Sequence, residues 1–414
     1  MTTTATARGQ SAPSPAVAPP PGNPRFALFD SLRAIAALAI LVFHVAAITA
    51  ALEDPVTGDI LAVLGSRGVV LFFVISGFLL YRPFAAAHAA GGQGPQIRRY
   101  FRRRVLRIVP AYWAALTLLA IFPGIVGVFS EDWWRFYFFL QLYSAETLGG
   151  GIPVAWSLCV EASFYLALPL WAFAIGKILS ASGSRSWLKA ELAALALLAA
   201  LGTAMQVAAD RQLVSDIVGA SLLGQSAWFA LGMALAVASV AAGAGHGRSP
   251  RAVRLVVEQP GLCWIGSGLA FVGLAILLQP GGLLGIVQAL NTPQPVAETL
   301  CAVALTGAWA ALLVLPAIFG QDAGGLPRRV LAAPPLLWLG LVSYGIFLWH
   351  LTIAQLLALP ADPAHFSASG LGLLQDIDRA ATPILVLLTL AVTSVVAALS
   401  YYLIELPFLR RKES

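Results

Sequence analysis

The chain has 414 residues, of which 59% are hydrophobic and 11% charged, against about 25% charged in an average soluble domain. With a mean hydropathy of +0.83, that excludes a soluble globular protein, a disordered chain and a nucleic-acid binder, despite a formal charge of +6. The composition predicts an all-α, polytopic membrane helix bundle whose solvent is the lipid bilayer.

The first 24 residues are dominated by Thr, Ala, Ser and Pro and contain no apolar run. A secretory signal needs such a run, so residues 1–27 read as a disordered tail and the first apolar helix as an uncleaved, membrane-inserting segment. Ten apolar windows of about 20 residues, the length of a spanning helix, then follow: 29–50, 67–87, 107–128, 156–176, 190–208, 219–241, 260–278, 297–318, 334–358 and 383–406. The membrane domain is thus expected over 28–409, with a short basic tail at 410–414 and no second domain behind it. Cys159, Cys263 and Cys301 fall inside apolar windows and offer neither a disulfide framework nor metal-ligand spacing; no metal site is expected.

Loop charge predicts the orientation. With the N-terminus in the cytoplasm, 20 of the 25 Lys and Arg residues fall on the inner side, among them Arg98, Arg99, Arg102, Arg103 and Arg104 before the third window and Arg107 at its first position. The outer loops carry acids instead, such as Glu53, Asp54, Glu131, Asp132 and Asp210. Positive-inside bias with an even number of spans puts both termini in the cytoplasm of a plasma or inner membrane.

Ionisable groups within a span are expensive and mark candidate sites. In the first window, Arg33 and His44 are eleven residues apart, close to three helical turns, so they share a face about 16 Å apart along the axis. In the second, Ser76-Gly77 reads as a small pair for close helix approach. At the start of the third, Arg104 and Arg107 share a face by i, i+3 spacing, and guanidinium forks suit phosphate. The aromatic run at 131–143 reads as an interfacial anchor, with an acceptor-binding rim as the alternative. Glu161, in the fourth window, lies at a depth similar to that of His44, and a carboxylate beside an imidazole fixes its tautomer and stabilises the imidazolium. Ser343, Tyr344 and His350 follow in the ninth window; His350 either lines the same cavity or is a packing residue. Glu405, at the inner end of the tenth, is placed to pair with Arg104 or Arg107.

In this order the residues resemble the acyltransferase-3 family of integral membrane O-acyltransferases. The resemblance runs from Phe29 to Phe408 and rests on Arg33-x10-His44, Arg104-Val-Leu-Arg107 before Pro110, LFFVISGFLL, WSLCVE-x-x-FY and SYGIFLWH. Two positions depart from the family's pattern: Ser31 stands where Gly is frequent, and Ala162-Ser163 follow Glu161 where Glu-Gln is frequent. Flanking the site, they are expected to bear on acceptor choice. The extracytoplasmic SGNH-type domain of some members is absent, which would make this the single-domain form.

The resemblance implies a cytoplasmic acyl-CoA donor, acetyl-CoA foremost, as co-substrate with no bound cofactor. The acceptor would be a hydroxyl of a cell-envelope carbohydrate, glycolipid or macrolide-type metabolite. His44 would be the general base supported by Glu161, with Arg33, Arg104, Arg107, Tyr344, His350 and Glu405 binding substrate. A secondary transporter is the competing class, but repeat symmetry is not visible in the chain. A catalytically inert scaffold would not retain all these costly residues.

Overall fold

The computed structural model describes residues 26–54, 57–182, 187–244, 250–278, 295–321, 323–358 and 379–410. All but the last two residues of the expected N-terminal tail, and all of the basic C-terminal tail but Arg410, lie outside them. Among the described residues the regular structure is helical. In chain order the helices are α1 Leu28–Ile48, α2 Gly58–Ala89, α3 Ile97–Ile121, α4 Trp133–Tyr137, α5 Trp156–Ser182, α6 Trp187–Asp210, α7 Asp216–Ala220, α8 Leu222–Ala244 and α9 Arg251–Glu258. They continue with α10 Pro260–Leu277, α11 Val296–Ile318, α12 Leu326–Leu331, α13 Pro334–Leu341, α14 Ser343–Ala358, α15 Thr382–Ser400 and α16 Leu406–Arg410. Nine helical segments among them are long and apolar enough to cross a membrane, and the bent pair α13–α14 makes a tenth. The chain is a multi-pass membrane protein.

Helix α1 is the hub, packed against α2, α13, α14 and α15. It runs antiparallel to α2: Phe29 stacks on Phe78 at one end, with centroids 4.9 Å apart, while Gly68 meets Ile40 and Gly65 meets Phe43 further along. Small residues let backbones close up where lipid supplies no hydrophobic drive between helices. The α2–α8 seam shows this most directly. A Cβ on Gly77 would overlap the Phe229 carbonyl oxygen, and one on Gly232 would overlap that of Val74. Gly77 therefore has the packing role expected of it.

Several spans differ from their expected form. Helix α2 has 32 residues, about 48 Å at 1.5 Å per residue, longer than the roughly 30 Å hydrocarbon core, so it projects beyond the window at 67–87. The window at 334–358 is broken, α13 and α14 meeting at 75°. Ser343 Oγ donates to the Gly340 carbonyl at 2.8 Å, a local bond that competes with the helical ladder. Gly340 also lies so close to the Asp30 carbonyl oxygen that a Cβ there would overlap it. The last span holds a π turn at Tyr401–Glu405, which buries Glu405 to 1% exposure and packs against α3.

Two buried charges outside the arginine-rich end have well-defined partners. Arg328, counted from sequence among the loop cations, is 3% exposed and donates to the carbonyls of Pro316, Phe319, Val256, Val257 and Gly324 at 2.7–3.2 Å. It thereby satisfies the C-terminal ends of α9 and α11, where a cation is favoured. Glu191 of α6 accepts from the Tyr81 hydroxyl at 2.5 Å and from His88 Nδ1 at 2.6 Å, tying α6 to α2.

Candidate active site

The bend at Val342, the start of α3 and the facing sides of α1, α2 and α5 line one partly open cavity. Its polar wall consists of Arg33, Arg104, Arg107, Glu161, Tyr165, Tyr344, Ser76, Ser157 and Ser343, and its apolar wall includes Phe72, Phe73, Ile108 and Phe347. Five of the eight residues expected at the site, Arg33, Arg104, Arg107, Glu161 and Tyr344, line this one space. Helical periodicity explains the arginine pair, because i and i+3 fall on one face. The 75° bend brings Ser343 and Tyr344 to the wall, and the Tyr344 hydroxyl donates to the Ile108 carbonyl at 2.9 Å, fixing α14 to α3.

Three guanidinium groups face one carboxylate in this space. Arg33 is 3.9 Å from Asp30 and within electrostatic range of Arg107, Glu161 and Tyr165. The Arg104 guanidinium sits 6.0 Å from the Tyr165 ring centroid, and its Nε is buried with no hydrogen-bond partner among the described residues. A buried donor without an acceptor is unfavourable, so this wall is suited to an anion carrying several oxygens. Glu161 accepts from the Ser76 hydroxyl at 2.5 Å, and Tyr165, one turn on, adds a second polar contact. Ser76 was expected to be mainly structural; its hydroxyl positions the cavity's carboxylate.

His44 is not in contact with Glu161. Its Nδ1 is 2.9 Å from the Ile40 carbonyl oxygen and 3.2 Å from His350 Nε2, and the two rings are 5.1 Å apart. His350 is fully buried, so it meets His44 rather than lining the cavity. Phe347 links the two places. It lies on the cavity wall, packs edge-on against Phe72 at 6.2 Å and lies 6.3 Å from the His350 ring. Glu405 is in electrostatic range of Tyr344 on the cavity wall and, with Arg107, of Tyr401.

Neither departure from the family pattern faces the cavity. Ser31 is fully buried and donates to the Leu331 carbonyl at 2.5 Å, a bond between α1 and α12. Ser163 donates to the Cys159 carbonyl at 2.9 Å and meets the Tyr143 hydroxyl at 2.7 Å. The aromatic run forms the short helix α4, whose Phe136 is buried while Trp133 and Trp134 stay exposed. Tyr112 and Trp113 of α3 hold it by donating to the carbonyls of Phe136 and Tyr137 at 2.9 and 2.8 Å.

The bundle holds cationic and titratable groups in its interior, where they are costly. Residues 26–403 match the family model of the acyltransferase-3 proteins, described as an acyltransferase domain; the chain belongs to that family. It is 23% identical over 357 residues to the peptidoglycan O-acetyltransferase OatA of Listeria monocytogenes serovar 1/2a, covering 79% of this chain and 49% of that protein. It is 29% identical over 195 residues to nodulation protein 10 of Rhizobium leguminosarum bv. viciae, covering 39% and 50%. With YrhL of Bacillus subtilis it shares 24% over 414 aligned positions, 91% and 54% of the two chains. The chain spans about half the length of the curated relatives it matches. No solved structure matches it significantly.

Proposed function

We propose that this protein is an integral membrane O-acyltransferase that takes an acyl group, acetyl foremost, from cytoplasmic acyl-CoA and delivers it to a hydroxyl of a cell-envelope glycan. The observation that carries the reading is the cavity with three arginines and one carboxylate, backed by Phe347 against a histidine pair. Arg104, Arg107 and Arg33 bind the donor's phosphates, for which their planar forks are suited. Glu161, held by Ser76, keeps the cationic wall from repelling itself, while the three arginines still outnumber it for the anionic donor.

His44 is the general base. It removes the acceptor hydroxyl proton as the oxygen forms its bond to the acyl carbonyl carbon, and the CoA thiolate leaves and is protonated in turn. Phe347 lines the arginine cavity and lies 6.3 Å from the His350 ring, so on this reading the acyl end of the donor passes Phe347 to meet the base. The matched relatives favour a peptidoglycan-type glycan as acceptor over a glycolipid or a macrolide-type metabolite.

The broken span at Val342 is the one feature shared with secondary transporters, whose sites sit at interrupted helices. Purified protein in lipid nanodiscs, given acetyl-CoA and soluble peptidoglycan glycan fragments, should release free CoA and form acetyl esters in matching amounts. Uptake of a solute into proteoliposomes without thioester cleavage would favour the transporter.

A further inference from the structure

The histidine pair determines which nitrogen of His44 does the chemistry. His350 Nδ1 lies 3.0 Å from the Ile346 carbonyl oxygen and 2.9 Å from that of Phe347. Carbonyl oxygens only accept, so that nitrogen carries a proton. A neutral imidazole has a single N–H, and His350 Nε2 therefore presents a lone pair. The atom facing it at 3.2 Å is His44 Nδ1, whose other neighbour, the Ile40 carbonyl oxygen at 2.9 Å, is also an acceptor. His44 Nδ1 thus sits between two acceptors and carries the proton that both require.

We propose that His350 is the positioning residue of the catalytic base: it holds His44 as the Nδ1–H tautomer, leaving Nε2 as the nitrogen that takes the acceptor's proton. The proposal rests on the O-acyltransferase reading and assigns to a buried imidazole the part expected of Glu161. A base is effective only if its lone pair points at the substrate and its far nitrogen stays bonded as charge develops. His350 meets both needs. Its own Nδ1 is anchored by two backbone carbonyls, so the ring cannot swing away from His44, and its Nε2 still accepts from Nδ1–H when His44 becomes imidazolium. Glu161, bonded to Ser76, is left to the donor cavity.

The chain contains five histidines, few enough for histidine-selective ¹⁵N labelling and solid-state NMR of the full chain in liposomes, with His44→Ala giving the assignment. Wild-type His44 should show a protonated Nδ1 and a bare Nε2. His350→Gln, whose Oε1 falls near the position of Nε2 and accepts, should keep that tautomer and a kcat within about fivefold of wild type. His350→Leu, of similar bulk but without an acceptor, leaves only the Ile40 carbonyl to hold Nδ1–H, so it should raise the Nε2–H fraction above that of wild type and lose about 10- to 100-fold in kcat at unchanged KM for acetyl-CoA, the range seen when groups orienting a histidine are removed. A wild-type His44 protonated at Nε2 overturns the proposal, as does a Leu variant with wild-type tautomer and kcat. If the Leu variant fails to fold, the wild-type and Gln spectra decide. Full activity of His44→Ala would instead overturn the general-base reading while leaving the tautomer measurement to stand.

Discussion

Removing the Arg104 side chain separates donor binding from topology. Arg104 lies on the cavity wall with a buried Nε that has no hydrogen-bond partner among the described residues, and its guanidinium carbon is 6.0 Å from the Tyr165 ring centroid. If its fork grips a donor phosphate, Arg104→Ala loses about 1.5–3 kcal/mol, the worth of a hydrogen bond to a charged group. That is a rise of roughly 10- to 150-fold in Kd. The fold loses less, since a cation–π contact at a partly hydrated site contributes about 0.5–1 kcal/mol. Calorimetric titration of coenzyme A into the protein in nanodiscs reads the first quantity, and thermal unfolding without ligand reads the second. Arg104→Lys should fall between, because an ammonium keeps the charge and loses the bidentate geometry. An alanine variant that bound coenzyme A as tightly as wild type would refute the donor assignment and leave Arg104 a membrane-topology charge.

Ser76→Ala removes the donor to Glu161 and leaves a part-buried carboxylate short of a partner, which costs about 1–3 kcal/mol; the apparent midpoint in a thermal scan should fall, and Ser76→Thr, which keeps the hydroxyl, should restore part of it. For orientation, a single cysteine at position 96, beside the start of α3, should react with a membrane-impermeant maleimide only after the cytoplasmic face is opened; labelling of intact cells would invert the topology and the donor side with it.

Spacing along single helices was the legible part of the site. Arg33 and His44 share a face of α1, and Arg104 and Arg107 share one of α3, because both follow from the 3.6-residue repeat. Pairing between helices was not legible. Glu161 and His44 were matched by depth, but depth says nothing of rotation about the helix axis, and Glu161 faces Ser76 while His44 faces His350. Ser76 itself was hidden by its neighbour, since Ser-Gly in a span reads as a packing pair, and only Gly77 serves that purpose alone. Tyr165 carried a usable signal, standing at i+4 from Glu161 on the same face. The break in the ninth span depends on a Ser343 hydroxyl bond and on the closeness of Gly340 to α1, a tertiary fact without a proline to announce it at the bend. Arg328 shows the limit of counting loop charges, because one of the cations counted toward topology is a buried clamp on five carbonyls.

Transfer by His44→Ala protein is the measurement closest to the central claim. Membrane vesicles containing wild type or variant would be supplied with radiolabelled acetyl-CoA at the cytoplasmic face, and acetyl esters on peptidoglycan glycan would be counted, with coenzyme A binding and protein amount measured on the same preparations. General-base catalysis is worth about 10²–10⁴-fold, so a loss of that size at unchanged donor affinity is expected, and for wild type a rate that falls as the medium is acidified, because an imidazolium cannot accept a proton. Ester formation by the variant at the wild-type rate would contradict it.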